Sequence, residues 1–401
     1  MPKRKEWEPF IRYREYTFGS QTKEEDLVYL RKKSRRHQDE ILQDLSCLHT
    51  MSAANIPLMF RLMESSIPQD FKFIAYKKIL ALENDHSGKL QPWIDSFLRI
   101  PFQKDVPLSV DFNNPEECHL FLKECETTLN ECTYGMKQAK DQFLQLIGKW
   151  VVNPASMGTA IALKGPMGTG KTTLIKHGIS KILNRPFAFI PLGGASDGCF
   201  LEGHSYTYEG STYGKIVDIL IQSKVSNPVL FFDELDKVSE KGNDIIGILT
   251  HLIDTTQNSQ FHDKYFSEID FDLSKCLFVF SYNDESLVNP ILRDRMTTIE
   301  IPGYEKSEKV VIARDYLIPE IMKEYKIDIL WSDPLLEAVI EKTESESGVR
   351  NLKRSLDTLY SKLNLRRILD PTIPFPYTMT MDEIDSLFPS AAEPAYSTMY
   401  L

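Results

Sequence analysis

Gly165-Pro-Met-Gly-Thr-Gly-Lys171-Thr172 lies near the middle of the 401-residue chain and fits the pattern G-x-x-x-x-G-K-[ST]. An apolar segment, Ile161–Leu163, precedes it, and a helical pattern, Thr173–Leu183, follows it. Glycine lets backbone N–H groups curl around phosphate oxygens without a Cβ clash, and a helix N-terminus adds partial positive charge. The stretch therefore predicts a phosphate-binding loop between a strand and a helix.

This loop has the side chains that a nucleoside triphosphate requires. Lys171 has the length and charge to reach the β- and γ-phosphates, and the Thr172 hydroxyl is a ligand for Mg²⁺. We therefore expect ATP and Mg²⁺ as cofactors. The predicted contacts in the loop are Gly165, Pro166, Met167, Gly168, Thr169, Gly170, Lys171 and Thr172.

A second motif, Val229-Leu-Phe-Phe-Asp233-Glu234, consists of four apolar residues followed by two acids. It predicts a buried strand whose carboxyl end places both carboxylates beside the phosphate loop. Asp233 is expected to hold Mg²⁺ through water, and Glu234 to orient and deprotonate the attacking water. Alone, the motif is also typical of a strand followed by an acidic loop, but downstream of a phosphate loop it predicts ATP hydrolysis.

The alternation of short apolar runs with helical stretches between residues 161 and 301 predicts an α/β fold. Such alternation is typical of a parallel sheet with helices on both faces. The runs are Ile161–Leu163, Phe187–Pro191, Val229–Phe232, Leu277–Ser281 and Thr298–Ile301.

Helical patterns on both sides of this region divide the chain further. Apolar residues at helix spacing predict helices between 41 and 100 and again between 312 and 365, and Asn113–Glu117 has the residues of a helix start. The predicted segments are a charged N-terminal arm at 1–40, a helical N-terminal region at 41–112, the α/β nucleotide-binding domain at 113–302, a small helical domain at 303–370 and a short C-terminal tail at 371–401.

The charge balance is acidic, with 57 Asp and Glu residues, 47 Lys and Arg residues and a formal net charge of −10. This balance argues against a surface that binds nucleic acid everywhere. Basic clusters at Lys3-Arg4-Lys5 and Arg31–Arg36 leave open an N-terminal arm that binds nucleic acid or directs nuclear import. The acids that interleave with them also fit a solvated helix face.

The sequence shows neither a membrane span nor a secretory signal. No apolar run approaches the roughly 20 residues of a membrane span, and the first residues lack a secretory signal. The six cysteines include no C-x-x-C pair, which favours reduced thiols over disulfides or a metal site. We therefore expect an intracellular protein, cytoplasmic or nuclear, without a membrane partner.

Together these motifs resemble the AAA+ ATPases, and within them the ATPase module of Lon proteases, from about Leu90 to Leu387. The resemblance implies a P-loop AAA+ sheet, a helical N-terminal region and a small helical lid domain at 303–370. The segments that carry it are Phe97–Phe102, Tyr134–Lys140, Leu192–Asp197, Glu202–Ser211, Gly214–Ile216, Asn227–Lys237, Asp254–Asn258, Phe261–Tyr265, Gly303–Tyr304, Glu308–Lys309 and Gly348–Arg350.

The resemblance also implies roles for matching residues. Tyr134-Gly135-Met136 corresponds to the segment that lines the adenine pocket. Asn283 corresponds to the sensor that contacts the γ-phosphate or the attacking water, and Arg350 to the second sensor on the lid. Arg295 corresponds to the arginine finger that reaches the ATP of a neighbouring subunit, although the additional Arg293 leaves open which arginine serves.

A finger that acts in trans implies a homo-oligomeric ring, most naturally a hexamer. Rings of this kind thread protein through a pore with an aromatic loop residue, and Tyr208 occupies that position. Glu209 stands where an apolar residue is usual, so we expect a specific or basic protein substrate, because acids near the axis repel acidic segments. Lys241–Asp244 is a candidate second pore loop.

Lon proteases continue into a peptidase domain with a serine–lysine pair, whereas this sequence has no lysine after Lys362. We therefore predict an ATPase without peptidase activity, and a stand-alone protein rather than an excised fragment. The leading interpretation is an ATP-driven motor that unfolds or remodels proteins. A motor on nucleic acid or nucleoprotein and an ATPase partner of a separately encoded peptidase stay open as alternatives. Intact Lys171, Glu234 and Asn283 argue against a scaffold that binds ATP without hydrolysing it.

Overall fold

The structure of the protein, a computed structural model, describes residues 11, 13, 24–51, 56–82, 88–108, 110–153, 160–195, 197–208, 210–238, 243–370 and 372–387. It divides into two compact units, Met1–Leu98 and Arg99–Leu401. In the described ranges, no helix has the length and the apolar character that crossing a membrane requires.

The described part of the N-terminal unit is helical, as the apolar spacing of residues 41–100 predicts. Pro57 and Pro68 each precede a helix, where the fixed φ of proline suits a helix start. Trp93 and Phe97 stack in its core, with 5.0 Å between ring centroids. The helices are α1 (Glu24–Arg31), α2 (Arg35–Met51), α3 (Leu58–Glu64), α4 (Gln69–Ala81) and α5 (Leu90–Phe97).

All strands of the described residues lie in the second unit. They are β1 (Ala160–Lys164), β2 (Phe187–Pro191), β3 (Val229–Asp233), β4 (Phe261–His262), β5 (Asp270–Phe271), β6 (Leu277–Tyr282), β7 (Met296–Glu300), β8 (Ile329–Leu330) and β9 (Tyr377–Thr378). Five of them form a parallel sheet in the order β2-β3-β6-β1-β7. Each apolar run therefore becomes a strand with bounds within two residues of its prediction, and the predicted α/β fold is confirmed.

Helices of the second unit alternate with these strands. They are α6 (Pro115–Cys132), α7 (Lys137–Val152), α8 (171–182), α9 (Cys199–Glu202), α10 (Lys215–Ser223), α11 (Asn243–Ile253), α12 (Pro290–Asp294), α13 (306–325), α14 (Asp333–Lys342), α15 (Arg350–Leu369) and α16 (Met381–Leu387). Two of them contain a π-helical turn, at Leu174–Ile179 in α8 and at Ala313–Leu317 in α13. The Asn114 side chain accepts a hydrogen bond from Glu117 N at 3.3 Å, so the predicted start of α6 is capped.

The strand order decides which residues meet at the phosphate loop. β6 lies between β3 and β1, with Val279 opposite Phe231 on one side and opposite Ile161 on the other. Because all these strands are parallel, their carboxyl ends meet at one edge of the sheet. The residue after β6, Asn283, is therefore the direct neighbour of the loop after β1, and Asp233 lies one strand further away.

The lid has its own apolar core, in which Leu336, Leu356 and Tyr360 are buried. α13 starts at Lys306, earlier than the sequence pattern indicates, because Glu305 and Glu308 form a capping box. Residues after 370 contribute to the same core, since Met379 and Ile384 are buried there and β9 pairs with β8.

Candidate nucleotide-binding site

The phosphate loop begins so close to the residue after β7 that only glycine fits there. A Cβ atom on Gly165 would lie 2.2 Å from the carbonyl oxygen of Ile301, which follows β7. Gly168 has a φ of 74°, which favours glycine, and a Cβ atom there would lie 3.0 Å from Arg350 N and Cβ. Two of the motif glycines thus let the backbone approach β7 and the lid.

Lys171 is buried at the first turn of α8 and points back into the loop. Its Nζ atom donates hydrogen bonds to the carbonyl oxygens of Gly165 and Pro166 and to Asn283 Oδ1 at 2.9 Å. Burial lowers the pKa of Lys171, and the carboxylates of Asp233 and Asp236 oppose this shift. The ammonium group thus lies where the loop, the end of β3 and the end of β6 converge.

The two acids of the second motif have different environments. Asp233, partly buried at the end of β3, accepts a hydrogen bond from the Ser281 hydroxyl of β6. Glu234 is exposed and has a φ of 61°, a left-handed conformation that is uncommon outside glycine. A Cβ atom on Gly193 would lie 2.1 Å from the Glu234 carboxylate, so glycine at 193 makes room for this side chain.

Asp236 is a site residue for which the sequence analysis gave no role. Its side chain is 0% exposed, and its Oδ2 atom accepts hydrogen bonds from the backbone N–H groups of Asn283 at 3.3 Å and Asp284 at 3.2 Å. It lies on the short 3₁₀ turn Leu235–Lys237, directly after Glu234. The same turn therefore connects the candidate base with the loop that carries Asn283.

The lid is hydrogen-bonded directly to the phosphate loop. Val349 N donates to Gly168 O at 3.1 Å, and the Tyr304 hydroxyl donates to Thr169 O at 2.8 Å. Glu346 accepts hydrogen bonds from the first backbone N–H groups of α15, beginning with that of Arg350 at 3.1 Å. The first turn of α15 is thereby held against the loop.

These elements surround one cavity of about 510 Å³, a volume within the usual range for a small-molecule site. Its predicted lining residues are Tyr134, Met167, Gly168, Thr169, Gly170, Lys171, Thr172, Asp233, Glu234, Asn283 and Arg350. Lining residues that the sequence analysis missed are Cys132, Thr133, Thr173, Ser281, Tyr282, Tyr304, Ile312, Tyr316, Leu317, Glu320, Val349 and Lys353.

Four predicted contacts lie just outside this cavity. Gly165 and Pro166 contribute backbone oxygens to Lys171 but do not line it. Gly135 lines a neighbouring cavity, and Met136 is buried in the core with a φ of 53°. Of the predicted adenine segment, Tyr134 alone lines the cavity of about 510 Å³, and its ring lies edge-on to that of Tyr316, with 6.4 Å between centroids.

The family description "ATPase family associated with various cellular activities (AAA)" matches residues 161–304, which run from β1 to Tyr304. The chain carries an AAA ATPase domain. The matched range contains the phosphate loop, both acids of the second motif and Asn283.

The predicted resemblance to Lon proteases is also confirmed. A Lon protease homolog of Acanthamoeba polyphaga mimivirus is 36% identical over 372 residues, which are 87% of this chain and 36% of that protein. The Lon protease of Lawsonia intracellularis is 31% identical over 80% of this chain and 38% of its own length. For the Lon protease of Clostridioides difficile these values are 34%, 74% and 37%. The chain therefore spans well under half the length of these relatives.

Two arginines of the AAA domain, Arg293 and Arg295, lie away from the candidate nucleotide site of the same chain. Arg295 Nε lies 3.6 Å from Asp254 Oδ2, and Arg293 NH1 lies 3.5 Å from Glu285 Oε1. Both line a shallow surface cavity beside α12. Neither arginine lines the cavity of about 510 Å³ in its own chain.

Only some of the predicted pore residues lie in the part of the AAA domain that the structure describes. Tyr208 lies in the segment between α9 and α10 and is 69% exposed. Glu209, Lys241 and Gly242 lie outside the described residues.

The donor set of the AAA cavity fits Mg²⁺ bound together with phosphates. Thr172 and Asp233 both line the cavity, and one hydroxyl with one carboxylate is a sufficient protein contribution when phosphate oxygens and waters complete the octahedron. Among the described residues, no cluster of three or more His, Cys, Asp or Glu side chains forms a metal site by itself. The residues present therefore fit Mg²⁺ that enters with ATP.

Proposed function

We propose that this protein is an ATP-hydrolysing motor that unfolds, threads or remodels protein substrates. The observation that carries the proposal is the convergence of Lys171, Asp233, Glu234 and Asn283 in one cavity at the carboxyl ends of three parallel strands. The similarity to AAA ATPases and to Lon proteases supports it, because the first are ATPases and the second are proteases.

The residues of the cavity suggest a division of work during hydrolysis. The loop N–H groups and Lys171 stabilise the phosphates, while Glu234 accepts a proton from the attacking water and Asn283 orients that water. Thr172 and Asp233 would hold Mg²⁺, which would supply positive charge against the phosphates when bound. Positioning and charge stabilisation account for most of the catalysis in such sites.

The lid side of the cavity supports a role in nucleotide recognition and in signalling the nucleotide state. Tyr134, Ile312, Tyr316 and Leu317 provide an apolar and aromatic wall that suits an adenine ring. Arg350 lies at the first turn of α15, next to the phosphate loop. A cation at that place changes its contacts when the terminal phosphate leaves, and so couples hydrolysis to the angle of the lid.

We further propose a homo-oligomeric ring, most naturally a hexamer. Arg295 is partly exposed and lies outside the cavity of its own chain. An arginine finger that reaches the ATP of a neighbouring subunit requires such a position. Arg293 is the alternative finger, since it lies on the same surface.

The exposed ring of Tyr208 is the proposed contact with the threaded protein. None of the six cysteines, all of which lie in the described ranges, forms a disulfide, which supports a reducing compartment such as the cytoplasm or nucleus.

The proposal is tested by measuring ATP hydrolysis with and without an unfolded protein or single-stranded DNA. Stimulation by the protein alone is the expected result, and stimulation by DNA alone would contradict the proposed substrate class.

A second experiment tests the substrate contact: Tyr208→Ala is expected to abolish the unfolding of a tagged fluorescent protein. Tyr208→Phe is the matched control, because it keeps the aromatic ring. Normal unfolding by Tyr208→Ala would refute the substrate contact.

A further inference from the structure

The segment that carries Tyr208 is closed at its base by two glycines. Residues 203–214 connect α9 with α10, and His204 N donates to Thr212 O at 3.1 Å. A Cβ atom on Gly203 would lie 2.6 Å from Gly214 N, and a Cβ atom on Gly214 would lie 2.0 Å from Leu201 O. The two ends of this segment therefore pack against each other without room for side chains.

Asp263 binds one end of this segment from a different part of the chain. The residue is fully buried, and its Oδ2 atom accepts a hydrogen bond from Gly214 N at 2.7 Å. Its Oδ1 atom accepts from the backbone N–H groups of Tyr265 at 2.9 Å and Phe266 at 3.3 Å. The carboxyl group thus joins the end of the Tyr208 segment to the turn between β4 and β5.

The next residue, Lys264, binds the other end. Its backbone N–H donates to Glu202 O at 2.7 Å, and its ammonium lies 3.2 Å from the Glu202 carboxylate. Glu202 directly precedes Gly203. Two consecutive residues, Asp263 and Lys264, therefore hold the two ends of the same loop.

Aromatic packing reinforces these hydrogen bonds. The Tyr213 ring stacks on Phe266 with an interplanar angle of 24° and meets Tyr265 edge-on at 71°, each with 6.0 Å between centroids. Tyr213 is the residue before Gly214, so the ring contacts act at the end of the loop that Asp263 also holds. Aromatic pairs of this kind stabilise a contact beyond the effect of their buried area alone.

Burying the carboxyl group of Asp263 costs free energy, and this cost restricts the hydrogen-bond geometry in which the group is stable. Burial raises the pKa of Asp263 to about 7, although the three backbone N–H groups lower it, and the nearby Glu202 carboxylate adds to the rise. A buried acid in this position is tolerated only while its hydrogen bonds are made. The carboxyl group therefore favours the one arrangement in which Gly214 N points at it.

We propose that residues 263–266 form a mount that holds the Tyr208 loop, and that Asp263 is a positioning residue for the contact between Tyr208 and the protein substrate. The second part rests on the proposed function. A loop that transmits force to a substrate needs a rigid base, and side chains locked by packing and hydrogen bonds provide one. The mount supplies it through the buried ring of Phe266 and the carboxyl group of Asp263.

Asp263→Asn tests the mount, because asparagine keeps the size but places an amide N–H against a backbone N–H in either orientation. Hydrogen exchange of backbone amides 204–214 is the direct readout, and we expect it to accelerate by about tenfold. Asp270→Asn is the matched control, since Asp270 is an exposed acid on β5 that pairs with His262. It is expected to leave the exchange of residues 204–214 unchanged.

Tyr213→Leu is a second variant that does not depend on folding of the Asp263 variant. It keeps an apolar side chain but loses the ring contacts, so exchange of the loop should rise by about threefold to tenfold. Unchanged hydrogen exchange of residues 204–214 in folded Asp263→Asn, or in Tyr213→Leu, would overturn the proposal that residues 263–266 hold the loop.

Protein unfolding by Asp263→Asn tests the positioning role, with substrate-free ATP hydrolysis measured beside it. We expect unfolding to fall at least about fivefold while substrate-free hydrolysis stays near the wild-type rate. Faster exchange with wild-type unfolding would overturn the positioning role, provided that Tyr208→Ala is inactive in the same assay. If Tyr208→Ala unfolds protein normally, the proposed substrate contact fails, and the exchange rates alone still decide the mount.

Discussion

Lys171 Nζ lies 2.9 Å from Asn283 Oδ1, across 112 residues of sequence. The pair joins the start of α8 to the end of β6, two elements that the sheet order places side by side. The candidate phosphate-binding cation and the candidate sensor therefore occupy the same point of the cavity.

A charge placed at this contact should weaken nucleotide binding. Asn283→Asp keeps the shape of the side chain but adds a negative charge beside the phosphates, so we expect the ATP Kd to rise at least about tenfold. Asn283→Ala removes the sensor without adding charge, and we expect it to reduce hydrolysis more than binding. Titration with a fluorescent ATP analogue separates the two effects. Equal ATP affinity for Asn283→Asp and the wild type would contradict the placement.

Asp236 should act on catalysis through the backbone of Asn283. Asp236→Ala removes the acceptor of two partly buried backbone N–H groups, so we expect kcat to fall by about tenfold to 100-fold while KM for ATP changes little. The same variant should lower the free energy of unfolding by about 1–3 kcal/mol.

Asp236→Asn keeps one acceptor oxygen and should recover part of kcat, which a loss of stability alone does not explain. Asp284→Asn is the neighbouring control, because Asp284 is exposed. A wild-type kcat for Asp236→Ala would exclude the positioning role.

The sequence predicted the strands well because each buried strand of a parallel sheet is a short apolar run between turn residues. It did not predict that β6 separates β3 from β1, since strand order depends on packing between distant segments. Asp236 had a local signal, as a third acid in the same motif, but its target, Asn283, became visible only in the fold.

The lid half of the cavity was the least predictable part of the site. Tyr304, Glu320 and Lys353 come from segments that reach the cavity only after the lid folds onto the sheet. Each belongs to an ordinary helical or turn pattern, so periodicity marks none of them. The π-helical turns in α8 and α13 are equally invisible to a 3.6-residue period.

Cys132 offers a chemical probe of the cavity. Its thiol lines the site, and burial raises its pKa, so less thiolate is present at neutral pH than for an exposed cysteine. We expect N-ethylmaleimide to modify Cys132 more slowly than the exposed Cys47, and saturating ATP to slow modification of Cys132 further by at least about tenfold. Peptide mass spectrometry measures both rates. The same rate at Cys132 with and without ATP would contradict the cavity assignment.

Mixing two inactive variants tests whether a finger acts in trans. Arg295→Ala keeps its own phosphate loop, and Lys171→Ala keeps its own Arg295, so mixed rings contain some complete sites. We expect the mixture to hydrolyse ATP faster than either variant alone. Repeating the experiment with Arg293→Ala identifies which arginine is the finger. No recovery with either arginine variant would contradict the ring arrangement.

The rate of phosphate release by Glu234→Gln is the most direct test that the cavity hydrolyses ATP. Glutamine keeps the size of the side chain but cannot accept the proton of the attacking water. We predict that turnover falls by about 100-fold or more. ATP should still bind with nearly wild-type affinity, because the phosphate loop and Lys171 are unchanged. Wild-type phosphate release by Glu234→Gln would contradict the assignment of this cavity as the hydrolytic site.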